Sequence, residues 1–236
     1  MNSSLKSEAI FERRWLIDPE QFNPTRSART QAESERLLHL LPIQVGKRAC
    51  DLGVGYGHVA KTLSEAGMKV DAVDISRNCL KRLHLPGVDF IQDCFPHTKL
   101  ESGVYDLVVA SNLIAEIPER ERRLAVSEIA RLLTPQGQAI LSTPIDIYSD
   151  DACLNFLALL ETEFEIDTLV FSYHRLSIQL PIFTHSLWLL RFFENLAHFF
   201  WQDRAISHAI ASVKRRPLTL ASHPVQDRKP KKSVWE

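Results

Sequence analysis

Apolar residues along this chain fall into short blocks separated by stretches with helical spacing. The blocks at 48–50, 69–73, 90–96, 105–110 and 138–142 are rich in Val, Ile, Leu, Ala and Phe, and each predicts a strand. Between them, 58–66, 77–83 and 119–133 place apolar residues at helical intervals, with Gly67 closing the first and Pro118 preceding the last. A helix at 30–41 precedes the first strand, with Leu37, Leu38, Leu40 and Leu41 as its apolar positions and Pro42 as its stop. Beyond the fifth block, 152–162 predicts a helix, 164–173 a sixth strand, 186–201 an unusually aromatic helix and 205–213 a closing strand. Strands alternating with helices predict a doubly wound α/β domain.

The candidate chemistry lies at the ends of the first three strands. Ala49-Cys50-Asp51-Leu52-Gly53-Val54-Gly55-Tyr56-Gly57 joins a strand to a helix through glycine at every second position. Glycine lets the backbone approach a ligand and tolerates positive φ, and the following helix offers unpaired N–H groups to the same place. The dinucleotide fingerprint G-x-G-x-x-G does not fit, because His58 stands where its third glycine belongs. An acid at Asp51 would repel a pyrophosphate and suit a ligand with an ammonium group. S-adenosylmethionine has that group, a sulfonium and no phosphate. Asp74, 23 residues after Asp51, ends the second strand where an acid takes ribose hydroxyls in nucleotide-binding βαβ units. Ile75 offers adenine an apolar face, and Asp93 an acceptor for its exocyclic amine.

Taken together, Asp51-Leu52-Gly53-x-Gly55-x-Gly57, Val73-Asp74-Ile75-Ser76, Asp93-x-Phe95-Pro96, Tyr105-Asp106-Leu107-Val108 and Arg131-Leu132-Leu133-Thr134-Pro135-x-Gly137 resemble the class I S-adenosylmethionine-dependent methyltransferases. The resemblance runs from about residue 47 to 144, about two-fifths of the chain. It implies a Rossmann-like, mostly parallel seven-stranded sheet whose last strand is antiparallel. About 30 residues are inserted before that strand here, near 174–204. It further implies S-adenosylmethionine as cofactor and S-adenosylhomocysteine as product. Asp51, Gly53, Gly55, Tyr56 and Gly57 would surround the methionine part, Asp74 and Ile75 the ribose and adenine, and Asp93, Cys94 and Ser111 the remaining edge. Asp106 reads as structural. Phe22-Asn23-Pro24-Thr25-Arg26 is similar to a segment of ubiquinone-biosynthesis O-methyltransferases, which implies that Arg26 pairs with the cofactor carboxylate.

Two residues are candidate bases. Glu116 occupies the place just past the fourth strand where many relatives have His, and His174 sits at the mouth of the sixth strand. Each has an alternative as a surface or helix-terminal group. Residues 1–44 read as a helical lid segment, 45–216 as the cofactor-binding domain and 217–236 as a flexible basic tail. The 186–201 helix is the candidate lid of an apolar acceptor pocket, with core packing or contact with a membrane surface as alternatives.

Composition narrows the function. The chain has 236 residues, 45% hydrophobic and 24% charged, and its net charge of −1 gives no global attraction to nucleic acid. Cys50, Cys79, Cys94 and Cys153 are scattered without zinc spacing, so no metal site is expected and a reducing cytoplasm is the simplest setting. No run of 18 apolar residues exists. Residues 110–113, Ala-Ser-Asn-Leu, lack the Pro-Pro-aromatic turn of amino-directed nucleic-acid methyltransferases. The expected activity is methylation of O, N or C on a small, partly apolar molecule. An RNA or protein methyltransferase and a non-catalytic binding protein are the alternatives.

Overall fold

A computed structural model describes residues 3–146, 151–173, 186–201 and 206–216. In chain order the elements are α1 (Ser3–Ile17), a 3-10 turn (Pro19–Phe22), α2 (Ala28–His39), β1 (Arg48–Leu52), α3 (His58–Glu65), β2 (Lys69–Asp74), α4 (Arg77–Leu80), β3 (Val88–Gln92), β4 (Tyr105–Ser111), α5 (Leu113–Glu116), α6 (Glu119–Leu132), β5 (Leu133–Pro144), α7 (Ala152–Leu160), β6 (Phe164–Ser172), α8 (Leu187–Trp201) and β7 (His208–Arg215). The seven strands lie in the order β3-β2-β1-β4-β5-β7-β6. β7 is antiparallel to both neighbours, and the β3-β2-β1-β4-β5 pairings are parallel. This is the doubly wound sheet with an antiparallel last strand that the sequence implies.

The period-2 geometry of strands sorts the core into two layers. Cys50, Leu52, Val108, Ala110, Ala139 and Leu141 face α6 and α7, where Val126, Ile129, Leu132, Phe156 and Leu160 cover them. Ala49, Val70, Ala72, Leu107, Val109 and Ile140 face the other way, against Leu37 of α2, Val59 and Leu63 of α3 and Trp15 of α1. Both faces are covered, which is why these strands read as nearly continuous apolar runs.

Several boundaries differ from the sequence expectation. Helix α2 starts at 28 because Ser27 and Thr30 form a reciprocal capping box. Helix α4 stops at Leu80, and the chain tightens through i→i+3 bonds from Arg82 N to Cys79 O and Leu83 N to Leu80 O. β3 stops at Gln92 rather than 96, because the Asp93 carboxylate takes the N–H groups of Cys94 (2.8 Å) and Lys99 (2.7 Å) and turns the chain out of the sheet. β7 begins at His208 rather than 205.

In the insertion before β7, α8 takes the packing alternative rather than that of a lid. Leu190 of α8 is buried against Ala28 and Ala32 of α2, with Leu187, Leu189 and Phe193 beside it. Arg36 of α2 pairs with Glu194 of α8, and Arg191 with Glu35 at 2.7 Å. The Glu194 carboxylate also accepts the Tyr173 N–H at 3.0 Å. Helix α8 is thus a brace on the outer side of α2, with Trp188 (73% exposed) stacked on Phe192 at its surface. No helix among the described residues is long and apolar enough to cross a membrane.

Residues 133–137 precede the strand expected at 138–142, yet they turn within β5, with Leu133 opposite Tyr105 and Gln138 opposite Leu107. Gly137 makes that close approach possible. A Cβ there would come within 2.9 Å of the Tyr105 carbonyl oxygen and 3.1 Å of the Thr134 nitrogen. Gly137→Ala is expected to cost about 1–3 kcal/mol by overpacking against backbone, lowering the melting midpoint by about 2–12 °C. A thermal melt unchanged within 1–2 °C, roughly the shift for half a kcal/mol, would show that the turn has slack.

Candidate active site

The carboxyl ends of β1, β2 and β4 open into one cleft, at the point where the strand order reverses between β1 and β4. Its two arms share Phe22, Gly53, Gly55, Ser111, Asn112 and Glu116. One arm, of about 180 Å³, is mainly apolar and lies between Phe11 and Trp15 of α1, Ile75 after β2, and Phe95 and Pro96 after β3. The other, of about 290 Å³, is more polar and reaches Thr30, Glu33 and Ser34 of α2, Asp51, Ser142 and His208.

The glycine loop is strapped over the end of β2. Gly53 N and Val54 N donate to Val73 O at 2.8 and 3.0 Å, and Gly55 N lies 3.5 Å from Asp74 Oδ2. Gly53, Gly55 and Gly57 all have positive φ, which an L side chain would strain. A Cβ on Gly53 would press on Leu113 at 3.1 Å. Gly57 lies outside the lining of both arms and caps α3 in the left-handed conformation.

Asp74 lines the apolar arm. Its Oδ1 takes Ser76 N–H at 2.9 Å, which fixes the carboxylate, and burial raises its pKa. Asp51 is 2% exposed and lines the polar arm. Among the described residues the one hydrogen bond to its carboxylate comes from Ala60 N at 3.0 Å, and burial pushes its carboxyl up to about 7. A buried carboxylate with no cation beside it is stabilised by a ligand that brings one, so the residues present fit an ammonium-bearing cofactor. Ile75, Asp93 and Cys94 line the apolar arm, Ser111 lines both arms and Tyr56 lines the polar one. The Tyr56 hydroxyl donates to Glu20, which lowers the pKa of that carboxyl, chiefly through this bond. Asp93 spends both carboxylate oxygens on backbone N–H groups. Asp106 lies at the opposite edge of the sheet, accepting from Lys47 Nζ and Arg48 N.

The structure does not bring Arg26 to the cleft. Its guanidinium faces Asp18 at 3.7 Å, it is more than half exposed, and it is absent from the lining of both arms. Arg14 of α1 lines the polar arm instead, stacked over Phe11 and Phe22 and paired with Glu116 at 3.1 Å. Glu116 lies at the end of α5, facing both arms. His174 lies outside the described residues.

Sequence reasoning missed Arg14, Asn112, Ser142, Glu33 and His208 as lining residues. The Phe11/Trp15 spacing of i, i+4 signals that α1 docks, which would have brought Arg14 with it. Nothing local marks the other four, because three different elements and a loop converge there. Helix α1 is held over the cleft by Glu12, whose carboxylate accepts from Arg77 N (2.5 Å) and Asn78 N (3.1 Å) at the start of α4. Among the described residues no cluster of His, Cys, Asp and Glu could hold a metal ion.

Comparison with known proteins agrees with this geometry. A family model described as a methyltransferase domain matches residues 49–137. A ubiquinone biosynthesis O-methyltransferase from Pectobacterium atrosepticum is 29% identical over 150 residues, covering 58% of this chain and 58% of that protein. The chain thus spans less than two thirds of the curated relatives it matches. The N-methyltransferase NodS from Bradyrhizobium japonicum, solved with S-adenosyl-L-homocysteine, superposes with a TM-score of 0.58 at 13% identity, covering 89% of this chain and 98% of that one. The [4+2]-cyclase SpnF superposes with a TM-score of 0.56 at 17% identity, over 80% and 82% of the two chains. At these identities the likeness is one of fold, and SpnF, a cyclase by name, has the same fold. Residues 49–137 thus match a methyltransferase domain, set in a fold shared with solved S-adenosylmethionine-dependent methyltransferases.

Proposed function

We propose that this protein is an S-adenosylmethionine-dependent methyltransferase acting on a small molecule, with a hydroxyl oxygen as the methyl acceptor. The observation that carries the reading is the pair of buried carboxylates, Asp51 and Asp74, that flank the glycine loop at the ends of adjacent parallel strands. The curated relatives named as O-methyltransferases support oxygen as the acceptor atom. The cofactor would supply an activated methyl on a sulfonium. The chain's own work is to bind, orient and exclude water, which is chiefly a proximity effect.

Asp74 would accept the two ribose hydroxyls, its carboxylate held by Ser76 N–H. Ile75, Phe95 and Pro96 would enclose the adenine in the apolar arm, with Asp93 and Cys94 at its edge. Asp51 would take the ammonium group, and Arg14 the carboxylate at the same end. Helix α1 would act as the lid, since Phe11 and Trp15 roof the apolar arm. The rest of the polar arm, toward Ser142 and His208, is left for the acceptor.

Calorimetric titration with S-adenosylhomocysteine, with NAD as control, tests the reading. Wild type should bind the first and not the second. Asp74→Ala should weaken binding about 10- to 100-fold, the loss of charge-assisted bonds worth about 1.5–3 kcal/mol. Absence of binding by folded wild type would sink the proposal. The two arginines separate in the same assay. Arg14→Ala should weaken binding by a similar 10- to 100-fold, on the order of one charge-assisted pair, while Arg26→Ala should stay within about twofold, as for an exposed ion pair. The reverse order would return the carboxylate to Arg26.

Affinity should also depend on pH. Asp51 must be ionised to hold an ammonium, and its carboxyl titrates at about 7 in the free protein. Below that value binding must first release a proton. Affinity should therefore fall by up to about tenfold per pH unit as the pH drops from 7 to 5, and level off above 7. Asp51→Asn should bind more weakly and flatten this slope. The part that remains would come from Glu33, which faces the same arm and is also pushed up to about 7 by burial. An unchanged slope in Asp51→Asn would exclude Asp51 as the titrating group.

A further inference from the structure

His208 lines the polar arm and is left unused by the cofactor assignments. His208 is the first residue of β7, paired across the sheet with Pro144 on β5 and Ser172 on β6. Because β7 runs antiparallel, its first residue arrives at the edge where the parallel strands end, beside Ser142 and Asn112. His208 is 1% exposed and lines the polar arm together with Glu33, Asp51 and Ser111.

Its ring is fixed by a bond 2.9 Å long between Nε2 and Asn112 Oδ1. Asn112 is itself held in a left-handed conformation at φ 56°, with its N–H bonded to Ser142 O (3.0 Å) and Ser142 Oγ (3.1 Å). An amide oxygen only accepts, so Nε2 carries the hydrogen and Nδ1 carries a lone pair. That Nδ1 is buried and has no hydrogen-bond partner among the described residues. Such orphaned groups are rare in folded proteins, and each is costly unless something satisfies it. The nearby donor Arg36 is committed to Ser172 Oγ and to Glu194. Burial first, then the positive charges of Arg36 and Arg29, keep the imidazole neutral, with a pKa pushed down to about 3. The lone pair is therefore available at any physiological pH.

We propose that Nδ1 of His208 accepts the hydroxyl hydrogen of the methyl acceptor and takes its proton during transfer. This rests on the methyltransferase reading above. As the new O–C bond forms, the methyl–sulfur bond breaks and its electron pair stays on sulfur. The O–H bond breaks with its pair left on oxygen, and the proton goes to Nδ1. The resulting imidazolium keeps its Nε2–H on Asn112 and gives the Nδ1 proton to solvent when product leaves. An oxygen that has received a methyl group is strongly acidic, so a weakly basic imidazole suffices once transfer has begun. The same geometry selects an acceptor that brings a donor hydrogen to the polar arm. An aprotic acceptor would leave Nδ1 unsatisfied.

The test uses the full-length protein labelled with ¹⁵N at histidine, and catechol as a small hydroxyl-bearing probe. The Nδ1 resonance of His208 is assigned by its loss in His208→Gln. In the S-adenosylhomocysteine complex, saturating catechol should move that resonance toward the protonated type and leave those of other histidines in place. Methyl transfer to catechol, followed by mass spectrometry, should fall about 10²- to 10⁴-fold in His208→Gln and His208→Phe, with S-adenosylhomocysteine affinity held within about threefold, under 1 kcal/mol. A resonance that ignores catechol in wild type overturns the proposal without requiring any variant to fold, and so does turnover preserved in either variant. Failure of wild type to bind S-adenosylhomocysteine would instead remove the methyltransferase reading on which the proposal stands.

Discussion

Everything at the site depends on how the glycine loop is tied to the end of β2. Two backbone bonds to Val73 O, and the approach of Gly55 N to Asp74, hold the loop across the neighbouring strand. Positive φ at Gly53, Gly55 and Gly57 lets the chain make the reversal without a Cβ clash, and α3 then starts with its N-terminus beside the loop. With the loop fixed, Asp51 and Asp74 are held on either side of it. Asp51 is buried with its carboxylate on the Ala60 N–H in the first turn of α3, and Asp74 is braced by the turn that follows it. The elevated pKa of Asp51 is the electrostatic counterpart of that geometry. A carboxylate this buried is costly alone and favourable beside a cation.

The cleft is completed by elements from both ends of the chain. Helix α1 covers it from the N-terminal side through Trp15, which is stacked on Phe22, and through Glu12 at the head of α4. Helix α2 walls the polar arm and is braced from behind by α8 through Arg36–Glu194 and Arg191–Glu35. None of the described side chains of α8 lines either arm, so it shapes the cleft only by supporting α2. The division of the cleft into an apolar and a polar half follows from these walls. Aromatic residues of α1 face the ends of β2 and β3, while Thr, Glu and Ser of α2 face the ends of β1, β5 and β7.

Topology explains why the polar arm contains His208. Most of the sheet delivers only strand C-termini to the cleft. β7 is the exception, because its antiparallel course delivers an N-terminus. A residue that begins a strand here therefore meets residues that end strands elsewhere. The fold by itself does not dictate chemistry, as its occurrence in a cyclase shows. What distinguishes this chain is the set of side chains on that edge.

The amino-acid sequence alone determined the alternation of strands and helices, the glycine turn and the acids at strand ends. Each of these is written locally, in a period of two, a period near 3.6, or a residue whose backbone preference is its own. Asp51 and Asp74 were legible for that reason, since their spacing in the chain mirrors a single βαβ unit. Only the tertiary structure decided that Arg14 rather than Arg26 reaches the cleft, that α8 braces α2, and that His208 stands beside Asn112, 96 residues earlier in the chain. Those relations depend on which helix packs on which, and on the direction of β7. Both are set by the summed burial of many side chains and leave no mark at the residues concerned.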